Sequence, residues 1–310
     1  MSDLEEVRKL PCVPTRDRDS HKGDFGSVLA VGCSPGMTGA GCMVARGAQR
    51  AGAGLVTLAL PEDLNHAAET KLTSAMTLPL PETDDGMLGH EACQQLLDIS
   101  PNFDLAAVGP GLGRDRETEE MVQRLMAEME LPAVLDADGL NAVAGHLECI
   151  ERRDKATVLT PHPGEMMRLC GADSVEEVQR NARETAVRLA DRCGATIALK
   201  GHGTIVTDGS RYYTNHTGNP GMACGGSGDV LTGLTAGLIC QGLSPFGATA
   251  LGVFLHGLAG DLAAREMTEL AMTPEDIMTF VPRAVSRLPT SDEPAGEEWF
   301  NPADVAAHVD

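Results

Sequence analysis

The chain has 310 residues, 42% of them apolar and only 3% aromatic, with a formal net charge of −21 at pH 7. That length allows one large α/β domain or two smaller ones. The core must be built from Ala, Val, Leu, Ile and Met, and the charge repels nucleic-acid phosphates and acidic membrane surfaces. Nine cysteines without a CxxC pair, most of them inside apolar runs as at Cys93, Cys149 and Cys240, read as buried free thiols in a reducing compartment. The N-terminus, MSDLEEVRKLPCVP, lacks the apolar core of a secretory signal. No apolar run reads as long enough to span a bilayer, so a cytoplasmic protein is expected.

Residues 1–20 form a charged, proline-containing extension that is expected to pack loosely. Ser27 to Gly32 then reads as a buried strand ending in glycine, followed by a loop from Cys33 to Thr38. A small-residue helix from Gly39 to Ala51 and a strand from Leu55 to Leu60 complete a βαβ unit. Residues 61–76 read as a helix, 77–90 as a polar, acidic connection and about 89–98 as a helix. The strand Leu105 to Val108 ends in GPGLG (109–113), and a helix runs from about Glu117 to Met129. Three further strands follow: Ala133 to Leu135, Thr157 to Leu159 and Thr196 to Leu199. They end in DADGLN (136–141), TPHPGE (160–165) and KGHGT (200–204). Val175 to Arg192 is strongly helical, and Asp208-Gly209-Ser210 marks a hairpin turn. Leu251 to Arg265 and residues 274–287 read as the last helices, and the acidic stretch from Thr290 to Asp310 as a flexible tail that only Trp299 and Phe300 are suited to dock. The polar segments fall at strand C-terminal ends, the arrangement by which a parallel sheet assembles one site.

One stretch organises the rest: GNPGMACGGSGDVLTG (218–233). Its glycines cannot hold regular structure cheaply, and an apolar helical run begins at Val230. Gly225, Gly226 and Gly228 let backbone N–H groups converge, and the helix behind adds unpaired amides and the positive end of its dipole. This is an anion site. Asp229, in the first turn, is either a helix cap or the acceptor of a proton from a nucleophile attacking a phosphoryl group.

The usual nucleotide signatures are absent. None of the five lysines follows a glycine, which excludes a P-loop, and GPGLG places its third glycine too early for a dinucleotide fingerprint. HExxH, paired-cysteine zinc and GxSxG patterns are missing too. Lys200 offers a phosphate-binding cation or a side chain snorkelling from a strand end. His162 is a substrate contact or a polar turn residue. Glu165 is a water-mediated contact to phosphate-bound Mg²⁺ or a helix cap. Asp136 and Asp138 orient ligand hydroxyls or satisfy turn amides.

Together with HKGDFG (21–26), MTGAG (37–41), AGAGLV (51–56) and HGLAGD (256–261), these segments in this order resemble the ADP/ATP-dependent NAD(P)H-hydrate dehydratases. The resemblance covers about residues 20–288. It implies an α/β fold of the ribokinase-like type, a three-layer α/β/α sandwich with a mostly parallel central sheet. The implied reaction is dehydration of the S-epimer of hydrated NADH or NADPH, a metabolite repair, by phosphorylation of the hydroxyl and elimination of phosphate. Asp229 would be the catalytic base, and Gly226, Ser227 and Gly228 the anion hole. Ala40, Gly113, His162 and Asp229 would contact the hydrated dinucleotide. Lys200, Gly201, His202, Gly203, Thr204 and Gly228 would contact the adenine nucleotide, with Glu165 near Mg²⁺ carried by that nucleotide.

The form of residues 200–229 resembles bacterial-type members, which use ADP, although Cys224 and Ser227 stand where Thr is expected. The chain is expected to be a standalone dehydratase over residues 21–289, lacking the N-terminal epimerase domain that many bacterial members carry. A separate NAD(P)H-hydrate epimerase is then the functional partner, and the resemblance suggests a homotetramer. The alternative is a small-alcohol kinase of the hydroxyethylthiazole kinase type, which would share the Gly-Ser-Gly-Asp loop but not both TPHPGE and KGHGT.

Overall fold

Alternation along one short strand shows how the apolar runs are used. In Ser27–Val31, Leu29 and Val31 enter the core on one face of the sheet, while Val28 and Ala30 enter it on the other. Both faces are therefore covered, as parallel strands require. The computed structural model describes residues 4–293 and 295–306. Residues 1–3 and 307–310, the ends of the expected extension and tail, lie outside the described residues, as does Pro294.

Among the described residues the central sheet has ten strands. From one edge they are Glu5–Glu6, Arg211–Thr214, Ile205–Thr207, Thr196–Leu199, Thr157–Leu159, Ala133–Leu135, Leu105–Val108, Ser27–Val31, Leu55–Pro61 and Met76–Leu80. The seven from Thr196–Leu199 to Met76–Leu80 are parallel. The hairpin strands Ile205–Thr207 and Arg211–Thr214 are antiparallel to their preceding neighbours. One face packs against the helices Thr38–Arg50, Ser227–Cys240, Pro245–Met267 and Pro274–Val285. The other packs against His90–Ile99, Arg116–Glu128, Asp138–Val143, Pro163–Cys170 and Ala182–Cys193. This is the three-layer α/β/α sandwich expected from the sequence.

The chain first lays Leu55–Pro61 beside Ser27–Val31 and then returns to place Leu105–Val108 on its other side. The loops after Ser27–Val31 and Leu105–Val108 therefore leave the sheet in opposite directions. The crevice between them is a topological switch point, where open α/β sheets bind ligands.

Several elements differ from the sequence expectation. The helix expected over 61–76 is a short 3₁₀ turn, Glu62–Leu64, and a helix Asn65–Lys71, and the connection after it contains the edge strand Met76–Leu80. Pro79 weakened the strand signal, but the edge tolerates its missing N–H. The segment Val175 to Arg192 is two helices, Val175–Arg180 and Ala182–Cys193, broken at Asn181. The helix expected from Leu251 begins at Pro245, with Ser244 accepting a hydrogen bond from the Gly247 N–H. At 23 residues and mean hydropathy 1.3 it is long and apolar enough to cross a membrane, contrary to the expectation that no run is, but 89% of its apolar window is buried inside the fold. Its composition is that of a core helix.

The two termini hold each other. Leu10–Pro11 pairs with Trp299–Phe300, and Val13–Pro14 with Thr290–Ser291. Phe300 meets Phe254 edge-on at a centroid distance of 6.2 Å, and Leu10 is fully buried. Residues 290–306, outside Pro294, are thus not a free tail, and residues 10–14 do not pack loosely. The aromatic pair supplies the burial that the acidic composition concealed. The cysteines are free thiols, as expected; Cys170 is exposed and the others are buried or half-buried.

Helices Thr38–Arg50 and Ser227–Cys240 touch backbone to backbone. A side chain on Gly233 would strike the Val44 carbonyl and lie 2.9 Å from both the Ala48 nitrogen and the Gly47 Cα. Gly233→Ala is expected to destabilise the fold by about 1–3 kcal/mol, read as a lower urea midpoint with an unchanged slope.

Candidate active site

The anion stretch folds as its composition dictates. Gly226 takes φ 98°, a left-handed conformation that glycine reaches without strain, and so caps the helix Ser227–Cys240. No side chain caps this helix end; the Ser227 N–H turns back to the Cys224 carbonyl at 3.3 Å and the Asp229 N–H to the Gly226 carbonyl at 3.1 Å. The preceding loop is held from the long core helix: Asp261 accepts hydrogen bonds from the Gly218 N–H (2.9 Å) and the Asn219 side-chain amide (3.0 Å). His256, one turn earlier on that helix, has Nε2 3.2 Å from the Ser227 hydroxyl. Burial pushes its imidazole down to about 4, so it is neutral.

At the strand ends beside this helix, Lys200 Nζ donates to Asp136 Oδ1 at 2.7 Å. Asp136 is 1% exposed, and its Oδ2 accepts from the Thr232 hydroxyl at 2.7 Å. One carboxylate therefore ties the strands Ala133–Leu135 and Thr196–Leu199 to the site helix. Burial opposes the Lys200 charge, but Asp136, Glu165 and Asp229 outweigh it, and its pKa is raised. A side chain on Gly228 would lie 3.2 Å from Lys200 Nζ, so only glycine leaves the ammonium open toward the helix N-terminus.

Asp229 lies half-buried close to this pair. Burial first, then the charges of Asp136 and Asp138, raise its carboxyl to about 7, against the opposing pull of Lys200. Glu165 is raised to about 7 as well, again chiefly by burial. Its carboxylate closes a capping box: Oε2 accepts the His162 N–H at 2.7 Å, while His162 Nδ1 accepts from the Gly164 N–H at 3.0 Å. Glu165 thus adopts the capping geometry, and an imidazole accepting at Nδ1 is not doubly protonated. Burial and the nearby Lys200 and Arg168 lower the His162 pKa.

Ala137 joins Asp136 to Asp138 with φ 50°, a conformation rare for a residue with a side chain. This turn aims the two carboxylates apart, Asp136 toward Lys200 and Asp138 toward the Gly113 N–H, which it accepts at 3.0 Å. Asp138 therefore satisfies a turn amide.

The residues singled out from sequence fall into two groups. His162, Lys200, Gly201, His202, Gly203, Thr204, Ser227 and Gly228 line one cavity of about 910 Å³. Ala40, in the first turn of Thr38–Arg50, and Gly113 lie at the switch-point crevice, where the Ala40 Cβ stands 2.9 Å from where a Gly111 side chain would begin. Asp229 and Gly226 belong to the helix start between them. Sequence reading missed Thr232 and undervalued Asp136 and His256. Thr232 and His256 lie in apolar helices where a polar residue at a packing position was the available signal. Among the described residues no three His, Cys, Asp or Glu side chains converge as a metal cage.

Asp229 and Glu165 bind protons in the folded state at pH values where they are ionised in the unfolded chain. Stability from these groups therefore falls as pH rises from about 4 toward 7. Asp229→Asn removes one of them and is expected to be more stable than wild type at pH 8 by about 1–3 kcal/mol, with the difference closing toward pH 4. Urea denaturation at the two pH values measures it.

A family model described as NAD(P)H-hydrate dehydratase matches residues 28–283. The bifunctional NAD(P)H-hydrate repair enzyme Nnr of Moorella thermoacetica is 46% identical over 278 residues, which are 89% of this chain and 52% of that protein. The chain spans about half the length of the curated relatives it matches. Among solved structures, ADP/ATP-dependent NAD(P)H-hydrate dehydratase from Bacillus subtilis, co-crystallized with ATP/Mg²⁺, superposes with TM-score 0.76 at 28% identity, covering 89% of this chain and 94% of that one. Hydroxyethylthiazole kinase from Pyrococcus horikoshii superposes with TM-score 0.58 at 16% identity, covering 86% and 90%. That second likeness is one of fold alone.

Proposed function

The chain belongs to the NAD(P)H-hydrate dehydratase family, and on that premise we propose that it converts the S-epimer of hydrated NADH or NADPH back to NADH or NADPH at the expense of ADP. The observation that carries the reading is the placement of Asp229, a base with a carboxyl raised to about 7, in the first turn of an uncapped helix beside a lysine-lined cavity.

The nucleotide takes the cavity, with its phosphates at Lys200 and at the amides of Gly226 and Gly228, while the Ser227 N–H, expected in the anion hole, is held by the Cys224 carbonyl. The hydrated nicotinamide takes the switch-point side at Ala40 and Gly113, with His162 between the two. Asp229 accepts the proton of the C6 hydroxyl as its oxygen attacks the terminal phosphoryl group, and the P–O bond to the nucleotide breaks. Amides and the Lys200 ammonium meet the charge that develops on the phosphoryl oxygens. The phosphorylated oxygen is then a good leaving group. Electrons from the ring nitrogen assist cleavage of its bond to C6, a proton leaves C5, and the C5–C6 double bond returns. The products are the dihydronicotinamide, inorganic phosphate and AMP.

The donor set fits Mg²⁺ that arrives with the phosphates and keeps its waters, since Asp136 and Glu165 are both engaged by protein groups. Such a cation would offset phosphate charge, and Glu165 would hold it through water. ADP as donor, a homotetrameric assembly, cytoplasmic residence and a functional link to an NAD(P)H-hydrate epimerase belong to the same proposal. Turnover run with ADP and with ATP in parallel, and light scattering on the purified protein, address the first two.

The small-alcohol kinase reading is weaker, because the hydroxyethylthiazole kinase likeness reaches only the fold. Incubation with hydrated NADH and ADP, followed at the absorbance of reduced nicotinamide, separates the two; no recovery of NADH would refute the dehydratase reading. Asp229→Asn is expected to lose turnover by roughly 10²-fold or more while retaining nucleotide binding. Wild-type activity is expected to fall as pH drops below about 7, where Asp229 becomes protonated. A near wild-type rate in the variant leaves Asp229 a structural residue only.

A further inference from the structure

Ser34 occupies the loop after the strand Ser27–Val31, at the switch point. The preceding Cys33 holds φ 76°, and its N–H donates to the Pro110 carbonyl at 3.2 Å. That turn fixes where Ser34 faces. Its carbonyl accepts the Met37 N–H at 2.9 Å, but its hydroxyl, on a residue only 1% exposed, has no hydrogen-bond partner among the described residues. Two other buried side-chain oxygens share that condition. Thr235 packs between helices against Gly252, and Asn65 begins a short helix away from the site. Ser34 Oγ instead lies 3.4 Å from where a Gly113 side chain would begin.

Gly113 is one of the residues assigned above to the hydrated dinucleotide, yet its N–H is already taken by Asp138. It offers a ligand close approach without its N–H. The space over it is filled by the thioether of Met87, whose sulfur lies 2.7 Å from the position of a Gly113 Cβ. Met87 is carried on a surface turn closed by the Thr83 N–H donating to its carbonyl at 2.7 Å, and the same turn rests Gly86 on Pro35. An unbranched thioether moves aside readily, which would bring a ligand onto Gly113 and within reach of Ser34.

Building on the function proposed above, we infer that Ser34 is a substrate-binding residue whose hydroxyl pairs with the carboxamide of the hydrated nicotinamide, in a recess that Met87 covers until the substrate enters. A hydroxyl both donates and accepts, which matches a carboxamide, and an orphaned buried hydroxyl gains its partner only in the complex.

The test compares Ser34→Ala with wild type. Expected are a melting temperature equal to or above wild type, because an unpaired polar group has been removed, and a KM for hydrated NADH raised roughly tenfold. The KM for ADP should not change. Ser34→Cys, which keeps the volume with a weak donor, should fall between them. Binding of hydrated NADH measured calorimetrically in an Asp229→Asn background should show the same roughly tenfold loss without turnover. An unchanged KM and unchanged binding in Ser34→Ala, or a lowered melting temperature with unchanged KM, overturns the Ser34 inference while wild-type turnover leaves the dehydratase reading standing. A wild-type protein that neither binds nor converts the hydrate overturns both.

Discussion

The Lys200–Asp136 pair is the interaction on which the site depends. It joins two strands that are not neighbours, with Thr157–Leu159 between them, and through Thr232 it fixes the rotation of the anion helix. Removing either partner would leave a charge in a buried place without its counterion, which is strongly unfavourable. The pair also sets the protonation of its surroundings. One ammonium faces Asp136, Glu165 and Asp229, and Asp136 holds it by direct contact. The other two carboxyls feel the desolvation of the same place without a bond to the lysine, and both rise to about 7.

This arrangement reconciles the proposed anion site with a chain of net charge −21. Long-range attraction for a polyphosphate is absent, so affinity in the proposed reaction must come from contacts within a few ångströms, for which glycine amides and a helix end are suited where nothing blocks the approach. The same economy of volume appears below the site, where Gly47 and Gly233 let two helices meet at their backbones. A core with few aromatics is the consequence of packing helices this closely.

Much of this was legible in the sequence because it is local. Runs such as Leu105 to Val108 or Thr196 to Leu199, each closed by a glycine-rich polar segment, mark a strand and the loop at its C-terminal end without reference to anything distant. The edge strand Met76–Leu80, the break at Asn181 and the pairing of the two termini were not legible, because each is decided by what packs beside it. The site divides in the same way. Asp229 and the glycines before it form one contiguous signal. The bond between Asp136 and Lys200 spans 64 positions, and the partnerships of Thr232 and His256 arise only when apolar helices are laid against the sheet.

The choice between cap and base at Asp229 turns on whether its carboxylate accepts backbone N–H bonds at the helix end, and it does not. A carboxylate that caps a helix accepts backbone N–H bonds in its charged form, and its pKa is driven down. Glu165 has that geometry, and even there burial prevails over the bond to the His162 N–H. Asp229 stands in the first turn of a helix that no side chain caps, and its carboxyl is raised with no backbone hydrogen bond among the causes. In the proposed reaction, a group in the first turn that makes no capping bond, and holds its proton until about neutral pH, is placed to exchange a proton with a ligand whose phosphates would lie at that end.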